Sequence, residues 1–233
     1  MRKKILGPVC YILTIVCVLA AASWGSRAAT VLAQTAPVAR SHCIVIDPGH
    51  GGEDGGATSC TGRLESGYNL EISLRLRDLF HFLGYDTRMI RTADTAVYTK
   101  GETIAQKKVS DLKERVRMVE DTPNSLLLSI HQNTFPDGRY SGAQVFYADT
   151  PGSQELAGEL QTALVTALNP GSNRKVKKSH GIYLMEHISR PGVLIECGFL
   201  SNGEEEAKLR SATYQKQLCC VIAATVSRNL ANT

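Results

Sequence analysis

Short apolar runs at residues 44–46, 126–130 and 193–195 are separated by longer stretches whose apolar residues recur at helical intervals. Runs without alternation belong to strands buried on both faces, as in a parallel sheet covered by helices above and below. The spacing predicts strands at 43–46, 86–90, 126–130, 143–147, 182–185 and 193–195. It predicts helices from Tyr68 to Leu83 with Gly84 as C-cap, over 109–119 with Pro123 as stop, and over 153–168. One or two closing helices fall within 204–230. The expected fold is α/β: a single domain, mostly parallel and twisted, with helices on both faces. Ligands of such sheets bind beyond the carboxyl ends of the strands.

The N-terminus stands apart. Arg2, Lys3 and Lys4 precede an uncharged apolar stretch over 5–22, and small residues follow at Ala28, Ala29 and Ala33. This is the order of a secretory signal, and the stretch is close to the roughly 20 residues of a membrane anchor. Residues 1–40 are therefore expected to be a signal peptide or anchor plus linker, and 41–233 the folded domain. Export follows from this. The net charge of +4 permits attraction to an anionic envelope polymer, and no basic run resembles a nucleic-acid patch. Lys175, Lys177 and Lys178 read as a solvated loop. The seven cysteines include no C-x-x-C pair, so neither a disulfide framework nor a zinc knuckle is expected.

Chemistry-bearing side chains gather at the ends of the apolar runs. His50 follows Asp47-Pro48-Gly49 and precedes Gly51-Gly52, glycines that let backbone approach an ion closely. It reads as a ligand or an ordinary loop histidine. Asp47 could accept its second imidazole N–H or cap the loop. His131 ends the run 126–130, where a lone histidine is commonly structural. Glu65 opens the first helix, and its position alone reads as a cap. Glu196 directly follows Val193-Leu194-Ile195. A carboxylate there must face a cation, a donor or a wet cleft. Alternation turns Cys197 to the opposite face, so no cysteine nucleophile is supported. Asn202 reads as an N-cap, His81 as exposed, and His180 and His187 as residues that could line a cleft. Two histidines and two carboxylates make the set of a zinc hydrolase: three ligands, an open position and a proton-moving carboxylate.

Asp47-Pro48-Gly49-His50-Gly51-Gly52-Glu53-Asp54-Gly55-Gly56-Ala57, Ser129-Ile130-His131-Gln132-Asn133 and Leu194-Ile195-Glu196-Cys197-Gly198-Phe199-Leu200-Ser201-Asn202 resemble, in this order, the zinc-dependent N-acetylmuramoyl-L-alanine amidases of the type 3 family. The resemblance covers about 43–230. It implies that His50, Glu65 and His131 bind one Zn2+ ion and that Glu196 is catalytic, which raises Glu65 from cap to ligand. Arg91, Asp94 and Arg115 match family positions read as structural or rim residues. Ser129–Asn133 and the segment 141–147 look most like the germination-specific spore-cortex amidases, which act with a separate muramic acid deacetylase to form muramic-δ-lactam. The partners implied are peptidoglycan glycan strands with stem peptides and that deacetylase. Cell-wall-binding repeats are absent, so targeting is expected from the N-terminus or an accessory envelope protein. The function implied is hydrolysis of the amide between N-acetylmuramic acid and L-alanine. The alternatives are a non-catalytic peptidoglycan-binding module and a zinc peptidase or deacetylase on a related scaffold.

Overall fold

Each apolar run becomes a strand near the centre of one sheet. The computed structural model describes residues 42–232, so the expected signal or anchor over 1–40 lies outside the described residues. The strands are β1 (Cys43–Pro48), β2 (Asp86–Met89), β3 (Ser125–Asn133), β4 (Gln144–Tyr147), β5 (Lys177–Lys178) and β6 (Gly192–Phe199). Their order is β2-β1-β3-β6-β4-β5. All neighbours pair in parallel except β4 and β6. The expected α/β architecture, mostly parallel, is the one observed.

Alternation along the central strands sorts side chains between two cores. Ile44, Ile46, Leu126, Leu128, Ile130, Val193 and Ile195 share one cluster with helices α1 (Glu65–Phe82), α3 (Ser153–Leu168) and α6 (Ala212–Ala231). Val45, Leu127 and Leu194 face the other, under α2 (Ile104–Glu120) and α4 (Tyr183–His187). Asp47, Ser129, His131 and Glu196 lie an even number of residues from Val45, Leu127 and Leu194, which puts the chemistry on the α2/α4 side. Cys197 is buried in the first cluster, opposite Glu196 as expected.

Three local expectations are corrected. The run 182–185 is the short helix α4, which buries Leu184 and Met185 against the sheet. A four-residue apolar run fits either element, and its period does not separate them. Lys177 and Lys178 form the edge strand β5 instead of a loop, and charged side chains on an edge oppose further pairing. Helix α2 begins at Ile104, ahead of 109. Thr103 and Gln106 close a capping box there, Thr103 Oγ1 accepting from Gln106 N and Gln106 Oε1 from Thr103 N. The closing segment is two helices, α5 (Gly203–Arg210) and α6, with Asn202 capping α5 as expected. No helix among the described residues is long and apolar enough to cross a membrane.

Candidate metal centre

Beyond β1 the backbone turns sharply at His50, whose φ of +61° is left-handed for a residue with a side chain. Two buried guanidinium groups hold this turn. Arg115 donates to the carbonyls of Pro48 (3.1 Å) and His50 (2.8 Å). Arg91 donates to Pro48 and Gly49, both at 2.9 Å, and to Ser66 at the start of α1. Arg115 also meets Asp47 Oδ1 at 2.5 Å and Asp111 Oδ2 at 2.6 Å, while Ser129 Oγ donates to Asp47 Oδ2 at 2.7 Å. Burial pushes the Asp47 carboxyl up, but Arg115, His131 and Ser129 outweigh it and hold it below the usual range. Asp47 thus serves the turn and makes no bond to His50. The second imidazole nitrogen of His50, Nδ1, lies 3.1 Å from Asp54 Oδ1 instead. Four residues along a glycine-rich loop bring Asp54 back to it, a spacing the motif contains but local pattern does not interpret.

Glu65 occupies the middle of the centre. Oε2 accepts from Ala57 N (3.0 Å) and lies 3.3 Å from His50 Nε2. Oε1 accepts from Gln132 N (3.1 Å) and Asn69 Nδ2 (3.1 Å) and lies 3.0 Å from His131 Nδ1. Burial raises this carboxyl, and the hydrogen bonds from His131 and His50 reverse that, driving it far below an ordinary glutamate. Burial likewise lowers His50, and Glu65 with Asp54 overrides it in the upward direction. So Glu65 is no simple helix cap. One ligand atom each from His50, Glu65 and His131 lies within 4.8 Å of the others, a group that could hold a metal ion.

The fourth residue completes the pattern. Glu196 stands opposite His131 in the β3–β6 register. Its Oε2 is buried with no hydrogen-bond partner among the described residues. Burial raises its pKa to about 7, with His131 and Glu65 acting in opposite directions. An orphaned carboxylate oxygen beside a two-histidine, one-carboxylate donor set fits a tetrahedral ion with one open position. His180 and His187 stay outside the group; His187 stacks on Tyr183 with centroids 3.8 Å apart. His81 is exposed and meets Thr87.

Gly49 shows how tightly the centre is built. A Cβ at that position would lie 2.2 Å from His131 Nε2. Gly49→Ala must therefore displace the imidazole, and metal affinity is expected to fall about 10–100-fold, the range for a disturbed supporting group. Chelator competition measures it, and unchanged affinity would refute the crowding.

Comparison with known proteins gives the family of the chain. A family model described as N-acetylmuramoyl-L-alanine amidase matches residues 44–228. The germination-specific N-acetylmuramoyl-L-alanine amidase of Bacillus subtilis strain 168 is 38% identical over 188 residues, which span 79% of this chain and 78% of that protein. The CwlD amidase of Clostridioides difficile, solved in complex with the GerS lipoprotein, superposes with a TM-score of 0.78 at 35% identity, covering 82% of this chain and 99% of that one. The catalytic domain of CwlV from Bacillus (Paenibacillus) polymyxa shares the fold, with a TM-score of 0.70 at 24% identity over 82% of this chain and 99% of that one. With family model and relatives in agreement, this chain belongs to the N-acetylmuramoyl-L-alanine amidase family, Amidase_3.

Proposed function

We propose that this amidase hydrolyses the bond between the lactyl carbonyl of N-acetylmuramic acid and the amine of L-alanine, with His50, Glu65 and His131 holding one Zn2+ ion and Glu196 moving the proton. The observation that carries the reading is the unpartnered, buried Glu196 oxygen beside the three converging donors. Zinc in such a set supplies Lewis acidity, polarising a carbonyl and drawing the pKa of a water toward about 7.

The chain's own residues do the rest. Glu65 accepts from Ala57 N and Gln132 N, so two backbone donors fix its carboxylate before any ligand arrives. Asp54 orients His50 through Nδ1 and leaves Nε2 toward Glu65. As a carboxylate, Glu196 takes a proton from the attacking water; as an acid, it returns that proton to the departing amine. The C–N bond breaks, the lactyl carbon gains the hydroxyl, and the stem peptide leaves with a free α-amine.

The setting follows the relatives. Likeness to a germination-specific amidase supports a role in spore-cortex maturation, with a muramic acid deacetylase acting on the peptide-free residue to give muramic-δ-lactam. The CwlD–GerS complex supports an envelope lipoprotein as accessory partner. Residues 1–40, as signal or anchor, would place the catalytic domain outside the cytoplasm. Mass spectrometry of muropeptides after incubation of the full-length, zinc-loaded chain with peptidoglycan tests the reaction. Peptide-free muramic residues are expected. Cleavage within the stem peptide, or loss of acetyl groups alone, would replace the reading by a peptidase or deacetylase.

A further inference from the structure

The two strands that carry His131 and Glu196 continue into an exposed aromatic surface. One residue separates the end of β3 from Phe135, and Phe199 closes β6 three residues after Glu196. Asn133 and Phe199 are register partners, and Asn133 O accepts from Leu200 N at 2.8 Å. The surface therefore lies beyond the carboxyl ends of the same two strands.

Two of its rings stand open over a buried third, Phe199. Phe135 and Tyr140 meet edge to face with centroids 4.6 Å apart, yet each remains 47% exposed. Tyr140 lies against Phe199, over which the Arg174 guanidinium stacks at 4.5 Å. Phe135 N donates to Ser201 Oγ, Asn202 Nδ2 to Gly138 O, and Arg139 pairs with Asp137 across the intervening turn. Apolar surface held open by this many bonds marks an interaction site more readily than a stray exposed side chain does. Beside Tyr140 lies a broad cleft of about 870 Å³ whose lining includes Arg139, Ser172, Asn173, Arg174 and Asn202.

Flat aromatic faces next to hydroxyl, amide and guanidinium groups match the chemistry of a hexosamine. Its ring presents C–H groups on its faces and hydroxyl or acetamido groups around its edge. A polymer cut at one amide must run past the centre, and this surface lies at the same end of the sheet, beyond the ends of β3 and β6. We propose that Phe135 and Tyr140, with the adjoining polar cleft, form a subsite for a hexosamine ring of the glycan strand; this rests on the amidase reading.

The test separates binding from turnover. Full-length, zinc-loaded Glu196→Gln protein is titrated calorimetrically with purified glycan strands stripped of stem peptides. Adding Phe135→Ala and Tyr140→Ala is expected to weaken binding about tenfold or more, from the loss of two aromatic contacts. Phe135→Tyr with Tyr140→Phe keeps both rings and should keep the affinity, and thermal melting checks that each variant is folded. Equal affinity in the alanine variant, loss in the ring-preserving variant, or no binding by the parent overturns the subsite. Peptide release by the unmodified chain is read separately. Its absence would overturn the amidase reading and leave the glycan result to stand on the binding data.

Discussion

Replacing Glu196 by Gln lowers kcat about 10²–10⁴-fold, the usual contribution of a positioned general acid–base, while one zinc per chain is retained. The amide keeps the shape of the carboxyl but neither takes nor returns a proton. Glu196 is outside the three-donor group, so metal content should not follow activity down. Elemental analysis beside kinetics decides it: loss of zinc together with activity would make Glu196 a ligand and not the proton carrier.

The same substitution has a stability signature in the metal-free protein. The folded chain raises Glu196 from 4.5 to about 7, so the fold favours the neutral acid. The penalty for burying the carboxylate is absent below about pH 4.5 and grows as pH rises toward and through 7. At one pKa unit per 1.36 kcal/mol it reaches on the order of 3 kcal/mol. After chelation, Glu196→Gln should therefore be more stable than the unmodified chain at pH 8 and nearly equal to it at pH 4. Urea unfolding at both pH values measures the difference. A bound divalent cation favours the carboxylate and should suppress that slope.

The second large effect is structural. Arg115→Leu is expected to cost about 3–5 kcal/mol, because it leaves Asp47, only 1% exposed, as a buried charge without its cation. Asp111 and the carbonyls of Pro48 and His50 lose donors in the same step. Combining Arg115→Leu with Asp47→Asn removes the stranded charge and should recover part of the loss. Urea denaturation of the single and double variants gives the coupling; additive losses would mean that the pair is energetically independent.

These effects trace back unequally to the linear chain. The strands 44–46, 126–130 and 193–195 were legible because burial on both faces removes alternation, and that signal is local. The placement of His50, His131 and Glu196 at strand ends followed directly. Their pairing with Glu65 did not: at a helix start, a glutamate has a sufficient local explanation in the dipole. The Arg115–Asp47 and His50–Asp54 pairings were equally hidden. Arg115 lies 68 residues from Asp47, and the turn after β1 points His50 toward Asp54, not Asp47.

By itself, then, the amino-acid sequence determined a mostly parallel sheet with helices on both faces and the strand ends at which chemistry could gather. It also carried the family motifs that imply His50, Glu65 and His131 as ligands. The tertiary structure alone decided which carboxylate touches which imidazole and that 182–185 closes the α2 side as a helix. It also decided that Phe135 and Tyr140 stand open beyond the end of β3. Periodicity is set by each residue's neighbours along the chain, whereas convergence depends on strand register and on side chains packed from distant segments.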